Sequence, residues 1–341
     1  MLDDKCVLVT GGTGSFGKKF VEVVLHRYSP RRLIVFSRDE LKQYEMSQVF
    51  NERRFPAIRY FLGDVRDRKR LYRAMDGVDI VIHAAALKQV PAAEYNPIEA
   101  IKTNVLGAAN IIDAAIDRGV AKVIALSTDK AANPVNLYGA TKLCSDKLFT
   151  AGNHYAGARG TRFSVVRYGN VLGSRGSVVP LFLKLRETGV LPITDPQMTR
   201  FWITLQQGVD FVLSSLELMT GGEVFVPKIP SMNIMELARA IAPECKVTIV
   251  GIRPGEKLHE VLIPEDEARH AVELEDRFVV LPAFHEWALG RSLEEYARAV
   301  GGRPCEPGFI YASNTNTWWL TAEELRKLLQ IAPAAQLRKA A

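Results

Sequence analysis

Short apolar runs alternate with helix-period segments through the first half of the chain, and this alternation sets the expected fold. Cys6–Val9, Leu33–Phe36, Ile58–Phe61, Val78–Ile82, Val123–Leu126 and Phe163–Arg167 are brief and rich in Val, Ile, Leu and Phe. Runs of that kind read as strands buried on both faces. Between them, Lys18–His26, Glu40–Phe50, Arg68–Met75, Pro97–Arg118 and Tyr138–Phe149 carry helical spacing. The alternation predicts an α/β chain with a Rossmann-type doubly wound parallel sheet. In such sheets ligands bind beyond the carboxyl ends of the strands.

The second half is less regular, with loops around Gly169–Ser177, Pro192–Met198, Pro227–Met232 and Gly251–Lys257 and a core-type helix over Leu205–Met219. The expected organisation is a dinucleotide-binding domain over 1–170 with later returns near 202–228, and a smaller C-terminal substrate-binding lobe over 171–331. Trp318 and Trp319 are expected to dock the C-terminal segment. The Ala-rich stretch 332–341 is expected to be a loose tail.

Composition narrows the function classes. The 341 residues, 48% of them hydrophobic, suffice for one large core and a companion. No apolar stretch approaches the roughly 18 residues of a membrane span. Met1–Lys5 lead straight into the first strand without a signal-peptide layout. Four scattered cysteines (Cys6, Cys144, Cys245, Cys305) form neither a metal-type spacing nor a disulfide framework. A cytoplasmic protein with reduced thiols, no metal and no membrane partner is expected. The net charge of +6 suits a polyanionic small molecule, and basic residues spread along the chain argue against nucleic acid.

The segment Thr10-Gly-Gly-Thr-Gly-Ser-Phe-Gly17 follows the first strand and opens the first helix. Gly11, Gly14 and Gly17 permit a tight turn, close approach to a pyrophosphate and close helix–sheet packing. Thr13, Ser15 and Phe16 belong to the same turn. The helix N-terminus adds free amides and a partial positive charge. A rival P-loop reading, from Gly12 to Gly17-Lys18-Lys19, lacks the metal-binding Ser/Thr, because Lys19 stands there. Dinucleotide binding is therefore expected. The second strand ends in Phe36-Ser37-Arg38, with Asp39 only afterwards and Lys42 close by, which favours NADP over NAD. Asp64-Val65 after the third strand suits the adenine edge. Ala84 and Ala86 after the fourth leave room for the cofactor. His83 reads as a packed ring.

The chemistry is concentrated in Ser127-Thr128-Asp129-Lys130 and Tyr138-Gly-Ala-Thr-Lys142. Residues four apart on a helix share a face, and an ammonium beside a phenol favours the phenolate, lowering a pKa that starts near ~10. Tyr138 is thus a candidate base for a sugar or alcohol hydroxyl. Asp129 and Lys130 add an acid and a second base that simple alcohol oxidation does not need. A Tyr-x-x-x-Lys pair alone is common on solvated helix faces; the glycine turn gives it meaning.

With these residues in view, the chain resembles the extended short-chain dehydrogenases/reductases that act on nucleotide sugars. More narrowly, it resembles the soluble inverting UDP-N-acetylglucosamine 4,6-dehydratases that begin pseudaminic acid biosynthesis. The resemblance runs from Lys5 to Leu329. It is carried by Thr10–Gly17, Phe36–Lys42, Ala84–Pro91, Lys102–Gly107, Ser127–Tyr138, Arg167–Gly173, Arg253–Glu260 and Asn314–Leu320. Membrane-anchored relatives typically carry methionine where this chain has Tyr138.

The resemblance implies a lyase with tightly bound, internally recycled NADP, a UDP-sugar substrate and homo-oligomeric assembly. Tyr138, with Lys142 and Thr128, would act at the 4-hydroxyl. Lys130 would take the proton from carbon 5, and Asp129 would protonate the departing 6-hydroxyl. That role requires a lowered pKa at Lys130. Lys88 would reach cofactor or sugar, and Asn170 and Thr194 would meet the substrate. Arg175, Arg200 and Arg253 would bind the UDP phosphates, and Glu256 a ribose hydroxyl. Asn104 would position the catalytic lysine through water, or serve the core or a cap. A UDP-sugar 4-epimerase would need Tyr138 and Lys142 but not Asp129-Lys130. A 5-epimerase of the same fold and a cofactor-binding protein without turnover complete the alternatives, and loss of water separates them.

Overall fold

The computed structural model describes residues 1–283 and 292–331, so the expected tail over 332–341 lies outside the described residues. The apolar runs become β1 (Cys6–Thr10), β2 (Arg32–Ser37), β3 (Ile58–Leu62), β4 (Ile80–His83), β5 (Lys122–Thr128) and β6 (Arg162–Tyr168). They pair in parallel in the order β3-β2-β1-β4-β5-β6. The chain winds outward from β1 to β3, then crosses back to place β4. Strand order therefore reverses between β1 and β4, the crevice where a doubly wound sheet takes its ligand.

Helices α1 (Ser15–Arg27), α2 (Glu40–Val49), α3 (Arg68–Ala74), α4 (Val90–Tyr95), α5 (Pro97–Ile101), α6 (Gly107–Asp117) and α7 (Leu137–Ala156) connect the strands. The single helix expected over Pro97–Arg118 is interrupted, because Lys102–Leu106 wind as a π-turn between α5 and α6. The extra residue re-aims the side chains that follow, a device common near functional sites. Periodicity cannot show it, since apolar spacing resumes on the far side.

After β6 the chain builds the lobe from β7 (Asn170–Val171), α8 (Val178–Leu185), β8 (Val190–Ile193) and β9 (Thr199–Ile203). Helix α9 (Leu205–Leu218) and β10 (Val224–Pro227) return to the main sheet, with β10 parallel beside β6. The lobe resumes with β11 (Ser231–Asn233), α10 (Ile234–Ile241) and β12 (Lys246–Ile249). Its own core packs Phe182, Leu191, Trp202, Met232, Leu237 and Leu325.

The main sheet extends past the expected return near 202–228. Arg277–Val280 pairs antiparallel with β10, followed outward by Ala271–Glu273 and Arg303–Pro304. Such short strands carry too few residues for a legible period. Trp318 and Trp319 dock the C-terminal segment through backbone bonds, Ser231 N–H to the Trp318 carbonyl and Leu320 N–H to that of Ser231, both 2.8 Å. The two rings stay 49% and 41% exposed, so the docking does not come from burying them. Among the described residues no helix is long and apolar enough to cross a membrane.

Candidate functional site

The turn after β1 is shaped by what glycine lacks. Gly11 has φ +63°, and a Cβ there would lie 2.8 Å from the Ala85 nitrogen. A Cβ on Gly17 would lie 2.4 Å from the Gly12 Cα, so only glycine lets α1 start this close to the turn. The N-terminus of α1 has no side-chain cap, which leaves its amides facing the cleft. A cleft of about 1320 Å³ runs from this turn past Ser37, Ala84 and Lys88 to Tyr138 and on to Arg253–Lys257. Its bare backbone floor, uncapped helix end and small Ala84–Ala86 wall fit a dinucleotide.

At the end of β2, the Ser37 hydroxyl accepts from Gln43 Nε2 at 3.2 Å. Asp39 caps α2 by accepting from the Lys42 backbone N–H at 3.0 Å, and its other oxygen pairs with the Lys42 ammonium. Arg38 and Arg66 stand 3.7 Å and 2.8 Å from Asp64. Burial pushes the Asp64 carboxyl up, but the two guanidiniums outweigh it and hold it below its usual range. Two residues expected to hold cofactor, Arg38 and Asp64, thus face each other. Val65 beside them is buried.

Arg175 lines the cleft beside the phosphate turn. Its backbone N–H donates to the Ser15 hydroxyl at 3.3 Å, and its carbonyl accepts from Lys88 Nζ at 3.1 Å. Its positive charge is felt by Asp39. Arg175 therefore stands over the phosphate turn at the cofactor end, because the loop after β7 folds back across the cleft through Gly173 and Gly176, both with positive φ.

The catalytic cluster forms where β5 ends. Asp129–Ala131 make a 3-10 turn, and Asn136 caps α7 by accepting from the Gly139 N–H at 2.8 Å. A Cβ on Gly139 would lie 2.2 Å from the Lys130 carbonyl oxygen, so this glycine lets the turn rest against α7. Lys130 Nζ donates to Asp129 Oδ1 at 3.0 Å and lies 3.2 Å from Glu260 Oε1. The Thr128 hydroxyl donates to the same Asp129 oxygen at 2.8 Å. Asp129 is fully buried, and its Oδ2 has no hydrogen-bond partner among the described residues.

These contacts fix the charges. For Asp129, burial raises the pKa, Lys130 opposes it and Glu260 reinforces it, leaving the carboxyl above its usual range. That suits an acid. For Lys130, burial favours the neutral amine, but Asp129 and Glu260 outweigh it and the pKa is raised. The lowered value expected for Lys130 is not what this arrangement produces. Burial pushes Tyr138 up to about 12, with Lys130 and the Thr128 hydroxyl pulling it back. The cation acting on Tyr138 is thus Lys130, not Lys142 as helix spacing suggested. Burial lowers Lys142 itself, against the pull of Asp146. His83 is a packed ring as expected: its Nδ1 pairs with the Thr10 hydroxyl at 2.8 Å, and burial takes its pKa to about 3.

Other expected residues divide between cleft and framework. Asn170, Thr194, Arg200, Arg253 and Glu256 line the cleft with Lys88. Arg253 lies 3.7 Å from Glu256, and Thr194 Oγ1 donates to Met198 Sδ at 2.9 Å. Arg200 is occupied: its guanidinium donates to the carbonyls of Thr199, Lys257 and Leu258. Asn104 is buried behind the cleft, clasping both backbone groups of Leu87 at 2.9 Å and the Thr141 hydroxyl at 3.0 Å. Its duty is that of the framework, not of a sugar contact.

Sequence reasoning gave no role to Glu260, Lys257, Asn136 or Trp202, all of which line the cleft. Lys257 Nζ donates to the Ala132 carbonyl at 2.6 Å, and Asn136 Nδ2 to that of Gly255 at 2.8 Å. The buried Trp202 indole N–H has no partner among the described residues. The only signal for Lys257 and Glu260 was their place in the Arg253–Glu260 segment.

Residues 7–282 match the family model described as polysaccharide biosynthesis protein. An inverting UDP-N-acetylglucosamine 4,6-dehydratase of Campylobacter jejuni is 55% identical over 331 residues, 96% of this chain and 98% of its own. A UDP-glucose 4-epimerase of Rickettsia conorii is 41% identical over 341 residues, covering 96% of both. Among solved structures, Pen from Bacillus thuringiensis superposes with a TM-score of 0.86 at 36% identity, covering 97% of this chain and 99% of its own.

Proposed function

The chain belongs to the polysaccharide biosynthesis protein family, and we propose that it is an inverting UDP-N-acetylglucosamine 4,6-dehydratase, a nucleotide-sugar hydro-lyase. The observation that carries this reading is the Asp129–Lys130 pair at 3.0 Å beside Tyr138. An epimerase needs no acid and second base there. The near full-length similarity to the Campylobacter enzyme supports the substrate.

The cofactor is a nicotinamide dinucleotide, and Ser37, Arg38 and Lys42 at the end of β2 support NADP. Held at the Gly11–Gly17 turn and the N-terminus of α1, it would supply the hydride acceptor for carbon 4 of the hexose and the donor for carbon 6. Tyr138 receives the 4-hydroxyl proton as its phenolate, the form that the Lys130 charge favours against burial, and Thr128 hydrogen-bonds the same oxygen. The ketone at carbon 4 makes the carbon 5 proton acidic. One proton passes from Lys130 Nζ to Asp129 Oδ1, arming an amine base and a carboxylic acid in a single transfer. The amine takes the carbon 5 proton as the C–H electron pair moves onto the ketone oxygen. That pair then returns, expelling the 6-hydroxyl, which leaves as water with the Asp129 proton. A proton drawn from solvent and delivered to the opposite face of carbon 5 completes the reaction with inversion there.

Of the expected phosphate ligands, Arg253 keeps that role in this reading, with Asn170 and Thr194 toward the sugar. The same reading places the enzyme in the cytoplasm as a homo-oligomer, at the first step of pseudaminic acid biosynthesis.

The test is to incubate the purified protein with UDP-N-acetylglucosamine in heavy water without added cofactor, following product mass and proton spectra. A dehydrated 4-keto product carrying deuterium at an inverted carbon 5 is expected. A 4-epimer of unchanged mass would replace this reading with epimerisation.

A further inference from the structure

Glu260 is the most enclosed charge in the cleft that the reaction just described leaves without a task. Its side chain is 3% exposed, with Oε1 3.2 Å from Lys130 Nζ. The Glu260 backbone is pinned on both sides by Ser313, whose hydroxyl accepts the Glu260 N–H at 2.9 Å and whose own N–H donates to the Glu260 carbonyl at 2.8 Å. The carboxylate therefore cannot drift with the surface loop that precedes it.

We propose that Glu260 is the positioning residue of the acid–base pair, holding Lys130 Nζ from a segment 130 positions away in sequence and setting its charge. This inference rests on Lys130 being the carbon 5 base. Lys130 is gripped by two carboxylates, Asp129 from its own 3-10 turn and Glu260 from the segment leading into Val261–Ile263. The other charges facing this corner are Arg200 from β9, 3.8 Å from Glu260, Lys257 at 3.9 Å, Lys88, and the Tyr138 phenol of α7.

The two carboxylates are pushed in opposite directions. Burial raises Glu260, but Lys130, Arg200 and Lys257 outweigh it and hold it below its usual range. Asp129 goes the other way, partly because Glu260 is charged. A proton arriving in the corner is thereby directed to Asp129, and Glu260 stays ionised. Glu260 decides which of the two is the acid. It also keeps Lys130 as an ammonium until the proton moves to Asp129.

Removing the negative charge should lower the Lys130 pKa, so a rate that requires neutral Lys130 should rise at lower pH. The test follows deuterium exchange at carbon 5 of the 4-keto-6-deoxy product in heavy water, by proton spectroscopy, across the neutral and alkaline range. Holoenzymes of wild type, Glu260→Gln, Glu260→Asp and Lys130→Ala are compared. Glu260→Gln should move the rising limb down by on the order of one pH unit. Glu260→Asp, with its carboxylate drawn back by one methylene, should move it the same way by less, and it serves if the Gln variant fails to fold. A reduced exchange rate with the limb at its wild-type position in both variants would overturn the proposal, because a merely structural residue changes amplitude without changing the pH dependence. Exchange persisting in Lys130→Ala would instead remove the reading of Lys130 as base.

Discussion

The Arg175 backbone N–H is hydrogen-bonded to the hydroxyl of Ser15, a residue 160 positions earlier in the chain. The loop after β7 thereby lies across the phosphate turn, and the arginine it carries faces the cofactor end of the cleft. If the cofactor is the NADP proposed above, Arg175→Ala should weaken its binding roughly tenfold, the scale of one lost charged hydrogen bond. The Michaelis constant for the UDP-sugar should stay within twofold on the same energetic scale. Calorimetry with NADP+ and steady-state kinetics separate the two. A raised Michaelis constant with unchanged NADP+ affinity would return Arg175 to the UDP phosphates.

Gly139 is the contact point between α7 and the turn that carries Lys130. A Cβ placed 2.2 Å from the Lys130 carbonyl must push the two apart. Gly139→Ala should cost about 1–3 kcal/mol by overpacking and slow carbon 5 exchange more than carbon 4 oxidation, because the clash falls on the backbone of Lys130. Denaturant melts and the two partial reactions check both halves.

His83 makes the fold sensitive to acid. Its pKa falls from an ordinary 6.5 to about 3 through burial, with the Lys142 charge adding to the effect. The unfolded chain binds a proton below 6.5 that the folded chain refuses until about 3. Stability from the neutral ring is therefore full above the upper value and declines as pH falls through that window, by up to about 1.4 kcal/mol per pH unit. Urea melts at falling pH should show this slope, and His83→Asn should flatten it. An unchanged slope in the variant would assign the acid sensitivity elsewhere.

Arg167 is 1% exposed and joins three parts of the chain: Asp146 of α7 at 3.4 Å, Glu267 at 2.5 Å and the Leu262 carbonyl at 3.1 Å. Arg167→Met strands the buried Asp146 carboxylate and the half-buried one of Glu267, which should cost about 3–5 kcal/mol. Part of that loss should be recovered at mildly acid pH, where the stranded carboxylates take up protons. Chemical denaturation at two pH values provides the measurement.

The sequence made the parallel half of the sheet legible because its strands are short, mainly apolar runs bounded by helical periods. The glycine turn and Thr128–Lys142 were readable for a related reason, since their residue types have few other uses in that order. The π-turn at Lys102–Leu106 was hidden, because an inserted residue leaves the apolar spacing intact on either side. Glu260 was missed, and the place of Arg175 was not legible, because each depends on what lies opposite it. Glu260 meets Lys130 across 130 positions, and Arg175 reaches Ser15 only through two turns with glycine at positive φ. Charge direction at Lys130 failed in part for the same reason: burial alone would lower it, and of the two carboxylates that outweigh burial, Asp129 and Glu260, the second is remote in sequence.

The acid–base corner is closed by the segment just before Val261, through Asn136 to the Gly255 carbonyl, Lys257 to that of Ala132, and Glu260 to Lys130. A nascent chain that has emerged as far as Val250 already owns the phosphate turn, Tyr138 and Lys142, but none of these closing groups. The order of synthesis thus separates two abilities. The growing polypeptide owns the dinucleotide turn before it owns the charge that governs its base.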